Sequence, residues 1–77
     1  MTEINDPDTF NYQLLSRLQM DCEYYLHAGA RNRKFLWALD EAAQIRKMKE
    51  LFSILPETPE WITLEEIEKY EAMMVIQ

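Results

Sequence analysis

Metal ligation by soft donors and nucleophilic catalysis both draw on cysteine and histidine, and the chain holds one of each, Cys22 and His27. Five positions apart on a helix, they would stand about 140° from each other around the axis rather than on one face. A zinc site needs further ligands that the sequence does not supply. Cys22 also lies on an apolar stripe with no evident group to orient His27 toward it, which argues against a nucleophile–base pair. Carboxylate pairs occur at Asp21 and Glu23 and at Glu65 and Glu66. Helix-dipole compensation and solvation explain them at least as well as acid–base chemistry. A single glycine leaves no glycine-rich phosphate loop. The expectation is a non-enzymatic chain with no catalytic residue, no metal and no cofactor.

Binding is better represented. The tract Arg31-Asn32-Arg33-Lys34-Phe35-Leu36-Trp37 sets three cations beside two aromatic rings, and Arg46, Lys47 and Lys49 follow. Arginine forks suit phosphate or carboxylate, and neighbouring rings can stack a base or anchor a partner. The candidate binding residues are therefore Arg31, Arg33, Lys34, Trp37, Arg46, Lys47 and Lys49. The structural alternative makes Phe35, Leu36 and Trp37 core residues, with the basic groups answering an acidic C-terminal helix.

The elements that must position these residues are limited by size. Seventy-seven residues allow one small domain. At 48% hydrophobic and 29% charged, the composition is that of a folding chain. The net charge of −6 opposes binding to nucleic acid or an anionic membrane through the overall field. That average hides three blocks: residues 1–29 carry −4, residues 30–49 carry +4 and residues 50–77 carry −6. The lone cysteine rules out an internal disulfide. The N-terminal residues are polar and acidic, unlike a secretory signal, and no apolar run reaches the roughly 20 residues of a membrane span. A soluble, cytoplasmic protein is expected.

Residues 1–8 read as a flexible tail and 9–77 as a single helical domain. Asp8 or Thr9 is suited to cap a first helix over about 9–27, whose stripe is Phe10, Leu14, Leu18, Cys22 and Leu26, widened by Leu15 and Tyr25. Gly29 suits a left-handed stop. A short helical turn around residues 31–38 is possible before Asp40 caps a second helix over about 40–54, with Ile45, Met48, Leu51, Phe52 and Leu55 inward. Pro56-Glu57-Thr58-Pro59 ends it. Thr63-Leu64-Glu65-Glu66 is a capping box, with Ile62 and Ile67 as a hydrophobic staple. It opens a third helix to about Met74 that turns Leu64, Ile67, Tyr70 and Met74 inward. Trp61 reads as the anchor of the preceding loop. The fold class is all-α, a small three-helix bundle.

Five strings in this order resemble a known family: Asn11-Tyr12-Gln13-Leu14-Leu15-Ser16-Arg17-Leu18, Asp21-Cys22-Glu23-Tyr24-Tyr25-Leu26, Leu36-Trp37-Ala38, Gln44-Ile45-Arg46-Lys47-Met48-Lys49-Glu50-Leu51 and Leu55-Pro56-Glu57-Thr58-Pro59-Glu60-Trp61-Ile62-Thr63. Over about residues 11–73 the chain is similar to the large polyvalent protein-associated domain of the eleventh type. The resemblance implies a bacterial phage or conjugative-element setting, as a stand-alone protein or a module of a very large one, and supplies no activity. It also implies more glycine before Arg31 and after Trp37. This chain has Ala28, Ala30 and Leu39 there, which favours more helix.

Tyr12, Tyr24, Trp37, Trp61, Met20, Met73 and Met74 are more large side chains than three short helices can hide. An exposed aromatic and methionine patch would suit a protein partner or a homodimer. The first functional expectation is thus a helical protein-interaction or adaptor module of a mobile element. The runner-up is an accessory nucleic-acid-binding domain using the central basic block. No membrane partner is expected.

Overall fold

A computed structural model describes residues 7–75. Three helices follow one another: α1 over Pro7–His27, α2 over Glu41–Ile54 and α3 over Leu64–Met74, with a single 3₁₀ turn at Arg33–Phe35 between α1 and α2. No strand occurs among the described residues, and the fold is a small all-α three-helix bundle.

α1 begins two residues before the expected Thr9. Pro7 is helical because proline lacks only an amide that the first turn leaves unbonded anyway. Asp8 and Thr9 accordingly lie inside the first turn rather than capping it. Of the expected tail, residues 1–6 lie outside the described residues, as do 76–77 of the expected domain. Asp8 near the start of α1 and His27 in its last turn both suit the helix dipole.

The end of α1 departs from expectation in an informative way. The amides of Ala28 and Gly29 both donate to the Tyr24 carbonyl, at 2.8 and 2.6 Å, and the Arg31 amide donates to Tyr25 at 3.0 Å. Ala30 (φ 53°) and Arg31 (φ 59°) take the left-handed conformation, whereas Gly29 does not. Gly29 is buried for a different reason. A β-carbon there would lie 2.9 Å from Phe35 Cδ2 and 3.2 Å from Tyr24 Cδ2, so glycine permits close approach rather than an unusual dihedral. Leu39 is left-handed too (φ 57°). Ala28, Ala30 and Leu39, expected to favour more helix, do not extend one. Ala30 and Leu39 hold glycine-like dihedrals, with a local steric cost of about 1 kcal/mol each.

Every turn of the 31–40 connection is tied down. The Asn32 side chain accepts from the Lys34 amide at 3.0 Å and caps the 3₁₀ turn. The Trp37 amide donates to Asp21 Oδ2 at 3.0 Å, and the Ala38 amide donates to Gln44 Oε1 at 2.9 Å. Asp40 then caps α2, its carboxylate accepting from the Ala43 amide at 2.9 Å.

The core joins Leu15, Leu18, Cys22 and Tyr25 of α1 to Ile45, Met48, Leu51 and Leu55, and to Ile62, Ile67, Tyr70 and Met74. Leu36 enters it from the connection, and Tyr12, Leu14, Leu26 and Phe52 pack at its edge. Full burial of such a side chain stabilises by about 1.5–3 kcal/mol. The capping box is present as expected. The Glu66 amide donates to Thr63 Oγ1 at 3.1 Å, while the Thr63 amide donates to Glu66 Oε1 at 3.0 Å. Ile62 and Ile67 on either side of it are fully buried.

Three assignments are corrected. Phe10 and Leu64, expected on inward stripes, are exposed, each in the first turn of its helix. Trp61 is 43% exposed and lies outside the buried core. Pro59 and Ile62 are the buried residues of this loop, and the Trp61 carbonyl accepts from Gln19 Nε2 at 3.4 Å. Gln44, which the sequence reading assigned to neither face of α2, is wholly buried.

Candidate functional site

Cys22 and His27 do not form a site. Cys22 is fully buried, with Sγ 3.6 Å from Met48 Sδ, and burial followed by the nearby charges of Asp21 and Glu23 pushes its thiol up to about 12. A thiol that holds its proton so firmly is not a nucleophile at neutral pH. Exposed His27 faces Glu23 on the next turn, Nε2 to Oε1 3.4 Å. Among the described residues, no group of three or more His, Cys, Asp or Glu side chains is placed to hold a metal ion. Nor is any helix there long and apolar enough to cross a membrane.

The candidate binding residues do not gather into one cationic surface. The Arg31 guanidinium donates to the Met73 carbonyl at 2.8 Å, joining the connection to the carbonyl end of α3, where a cation is favoured. Arg33 Nη2 lies 2.9 Å from Glu41 Oε1, and Glu41 Oε2 accepts from the Tyr25 hydroxyl at 2.6 Å. That hydroxyl bond is the main reason the Glu41 carboxyl lies below its usual range. Burial, then Glu41 itself, raises Tyr25. Lys47 pairs with Glu50 at 3.5 Å within α2, and Lys49 pairs with Glu71 of α3 at 2.9 Å. Arg46 and Lys49 border a small groove between α2 and α3 that also contains Glu71, so its charge is mixed. Lys34 and Arg46 are exposed and make no ion pair with a described residue. The basic block thus answers acidic groups of α2 as well as α3.

What the structure does gather is apolar. Leu36, the residue closing the 3₁₀ turn, is extended (φ −97°, ψ 137°) and points into the core. Its neighbours Phe35 and Trp37 must therefore point the other way. Both are exposed, at 43% and 45%. The Phe35 ring stands edge-on to Tyr24, with centroids 4.9 Å apart. Trp37 is fixed through its amide to Asp21, one turn back on α1. Met20, 67% exposed, lies one turn from Tyr24. Along this outer side of α1 runs an open groove of about 480 Å³ lined by Gln19, Met20, Glu23, Tyr24, His27 and Ala28. The Glu23 carboxylate on its other edge accepts from the Tyr70 hydroxyl at 2.5 Å, and burial, then Glu23, raises Tyr70.

Sequence reasoning named Met20, Tyr24 and Trp37 as large side chains in excess of the core. It did not place Phe35 or Leu39 on the surface. The missed signal is the single extended residue at Leu36, which turns its neighbours outward and so splits the Phe35-Leu36-Trp37 cluster between core and surface.

The sequence profile of one family, large polyvalent protein-associated domain 11, matches residues 8–74. Neither a curated protein nor a solved structure shows significant similarity to the chain.

Proposed function

From the premise that this chain belongs to the large polyvalent protein-associated domain 11 family, we propose that it is a non-enzymatic helical adaptor of a bacterial mobile genetic element that works by docking another protein. One observation carries this reading. Most of the candidate cations are engaged within the fold, while Met20 and Tyr24 line an exposed groove, Phe35 packs edge-on against Tyr24, and Trp37 is exposed on the same connection. Soluble chains leave contiguous apolar patches exposed chiefly where something binds. Gly29 lets the Phe35 ring approach α1, and the Asp21 and Gln44 bonds fix the backbone at Trp37 and Ala38, so the connection that carries these rings is ordered before any partner binds.

A photo-crosslinking side chain in place of Met20, in the host that expresses the element, tests the reading. A discrete protein adduct that disappears with Trp37→Ser is the expected result. Salt-sensitive binding of labelled duplex or single-stranded DNA, lost when Arg31, Arg33 and Lys34 are all alanine, would replace it with nucleic-acid binding.

A further inference from the structure

We propose that the groove on the outer side of α1 receives a basic amphipathic helix of the partner protein, with a lysine or arginine on that helix reaching Glu23. This inference rests on the protein-docking reading above and adds the partner's chemistry.

Charge selects the partner. Among the described residues, Glu23 is the one carboxylate lining the groove, and no lysine or arginine lines it. The Tyr70 hydroxyl donates to one oxygen of Glu23, and His27 Nε2 lies 3.4 Å from the other. A neutral hydroxyl orients a carboxylate and favours its charged form without discharging it. The formal charge of the chain at pH 7 counts His27 as neutral. Glu23 is thus a positioned anion, its side chain 53% exposed, beside the apolar surface of Met20 and Tyr24. The helix that carries it is acidic as well. α1 holds Asp8, Asp21 and Glu23 against Arg17 alone, and Arg17 lies 3.7 Å from Asp21. The whole chain is at −6, a field that draws a cationic partner in and opposes an anionic one. Lysine and arginine carry a long apolar stem below the charge, which suits a groove that sets one carboxylate beside a methionine and a tyrosine ring.

Shape selects a helix. The groove residues recur as 19/20, 23/24 and 27/28, a four-residue repeat along one side of α1. From Gln19 to Ala28 the stripe extends about 14 Å, long enough to contact roughly two and a half turns of a helix lying along it. An extended strand has no counterpart here, since the fold offers no sheet edge among the described residues. Other occupants meet the carboxylate unfavourably. Nucleic acid or an acidic helix would bring like charge to Glu23. A second copy related by a two-fold axis through the groove would set Glu23 against its own equivalent.

The test uses the full chain and three fluorescein-labelled synthetic helices of about 18 residues that share one Leu/Phe stripe. Their remaining positions carry Lys, Glu or Gln. Fluorescence anisotropy should show the lysine helix binding at least about tenfold more tightly than the glutamate helix. Glu23→Gln keeps an acceptor for Tyr70 and removes the charge. It should weaken the lysine helix roughly fivefold and leave the glutamine helix within about twofold. Glu68→Gln removes the same formal charge from an exposed position of α3 outside the groove, and should leave the lysine helix within about twofold. Met20→Ser should weaken the lysine and glutamine helices alike, roughly fivefold or more, with far-UV dichroism unchanged. Preference for the glutamate helix, equal binding of all three or binding of none would overturn the basic-helix assignment. So would equal losses from Glu23→Gln and Glu68→Gln, or indifference to Met20→Ser. Each of these leaves protein docking to stand or fall on the Met20 crosslink. Self-association in sedimentation, abolished by Met20→Glu, would put a second copy in the groove instead. Salt-sensitive DNA binding with no peptide binding would remove both readings together.

Discussion

Gln44→Leu tests how the connection that carries Trp37 is held in place. Gln44 is fully buried, its Oε1 accepts from the Ala38 amide at 2.9 Å and its Nε2 donates to the Leu18 carbonyl at 3.3 Å. Leucine nearly preserves the volume, so no large cavity opens and the loss is polar. The partly buried Ala38 amide is left without its partner, which costs about 1–2 kcal/mol. The Leu18 carbonyl faces the lesser loss, because α1 still offers it a helical donor, and about 0.5 kcal/mol is reasonable there. A net loss near 2 kcal/mol, set against an unfolding entropy of roughly 2.1 cal/mol/K per residue, lowers the melting midpoint by about 12 °C for a domain this small. Thermal unfolding by far-UV dichroism reads it directly, and Trp37 emission should shift to the red. Gln44→Glu sharpens the test. A protonated carboxyl can reproduce both hydrogen bonds, whereas the buried anion cannot, so its folded-state pKa is raised. Such a group is fully compatible with the fold below its unfolded pKa, and its stability is lost as pH rises through the folded value. The glutamate variant should therefore approach the native chain near pH 4 and fall below it at neutral pH. A leucine variant melting within about 2 °C of the native chain would refute the assignment of Gln44 as the tie between α1, α2 and the connection.

Three further outcomes follow from local geometry. Leu39→Gly should raise stability by about 0.5–1 kcal/mol in urea titrations, because φ 57° is unfavourable for an exposed leucine. Gly29→Ala should lower it by about 1–3 kcal/mol and reduce the near-UV aromatic signal, since the added carbon meets Phe35 and Tyr24. At alkaline pH, the thiol of Cys22, raised from 9.0 to about 12, withholds its proton in the fold more strongly than in the open chain. Stability is then full below about pH 9 and falls as pH rises toward 12, a decline that Cys22→Ala should soften in urea titrations at stepped pH.

What the sequence made legible was local and periodic. The Thr63 capping box, the Asp40 cap and the stripes through Leu18, Cys22, Met48 and Ile67 depend on near neighbours in the chain. What it left hidden depends on where helices stop touching. Phe10 and Leu64 keep the right spacing, but neither enters the core. Gln44 occupies a position whose value comes from a loop amide six residues back and a helix carbonyl twenty-six residues back. Gly29 invites a conformational explanation, and its actual reason is the approach of Phe35. For the candidate site, the tract 31–37 was located, but its division into buried Leu36 and exposed Phe35 and Trp37 required the extended backbone at residue 36.

The solitary buried thiol also makes the domain its own stopwatch. Cys22 is wholly out of reach of solvent in the centre of α1, where it touches α2 through Met48. Cys22 can attack a disulfide reagent, forming a mixed disulfide and expelling the reagent's other thiolate, only during excursions that separate those helices and only as its own thiolate. With reagent in excess, the modification rate counts such excursions without any added label. Because α1 also carries the docking groove, a ligand seated there would lengthen the interval between openings by the factor its occupancy adds to the folded state. Binding could thus be timed at an atom on the opposite side of the helix from the ligand.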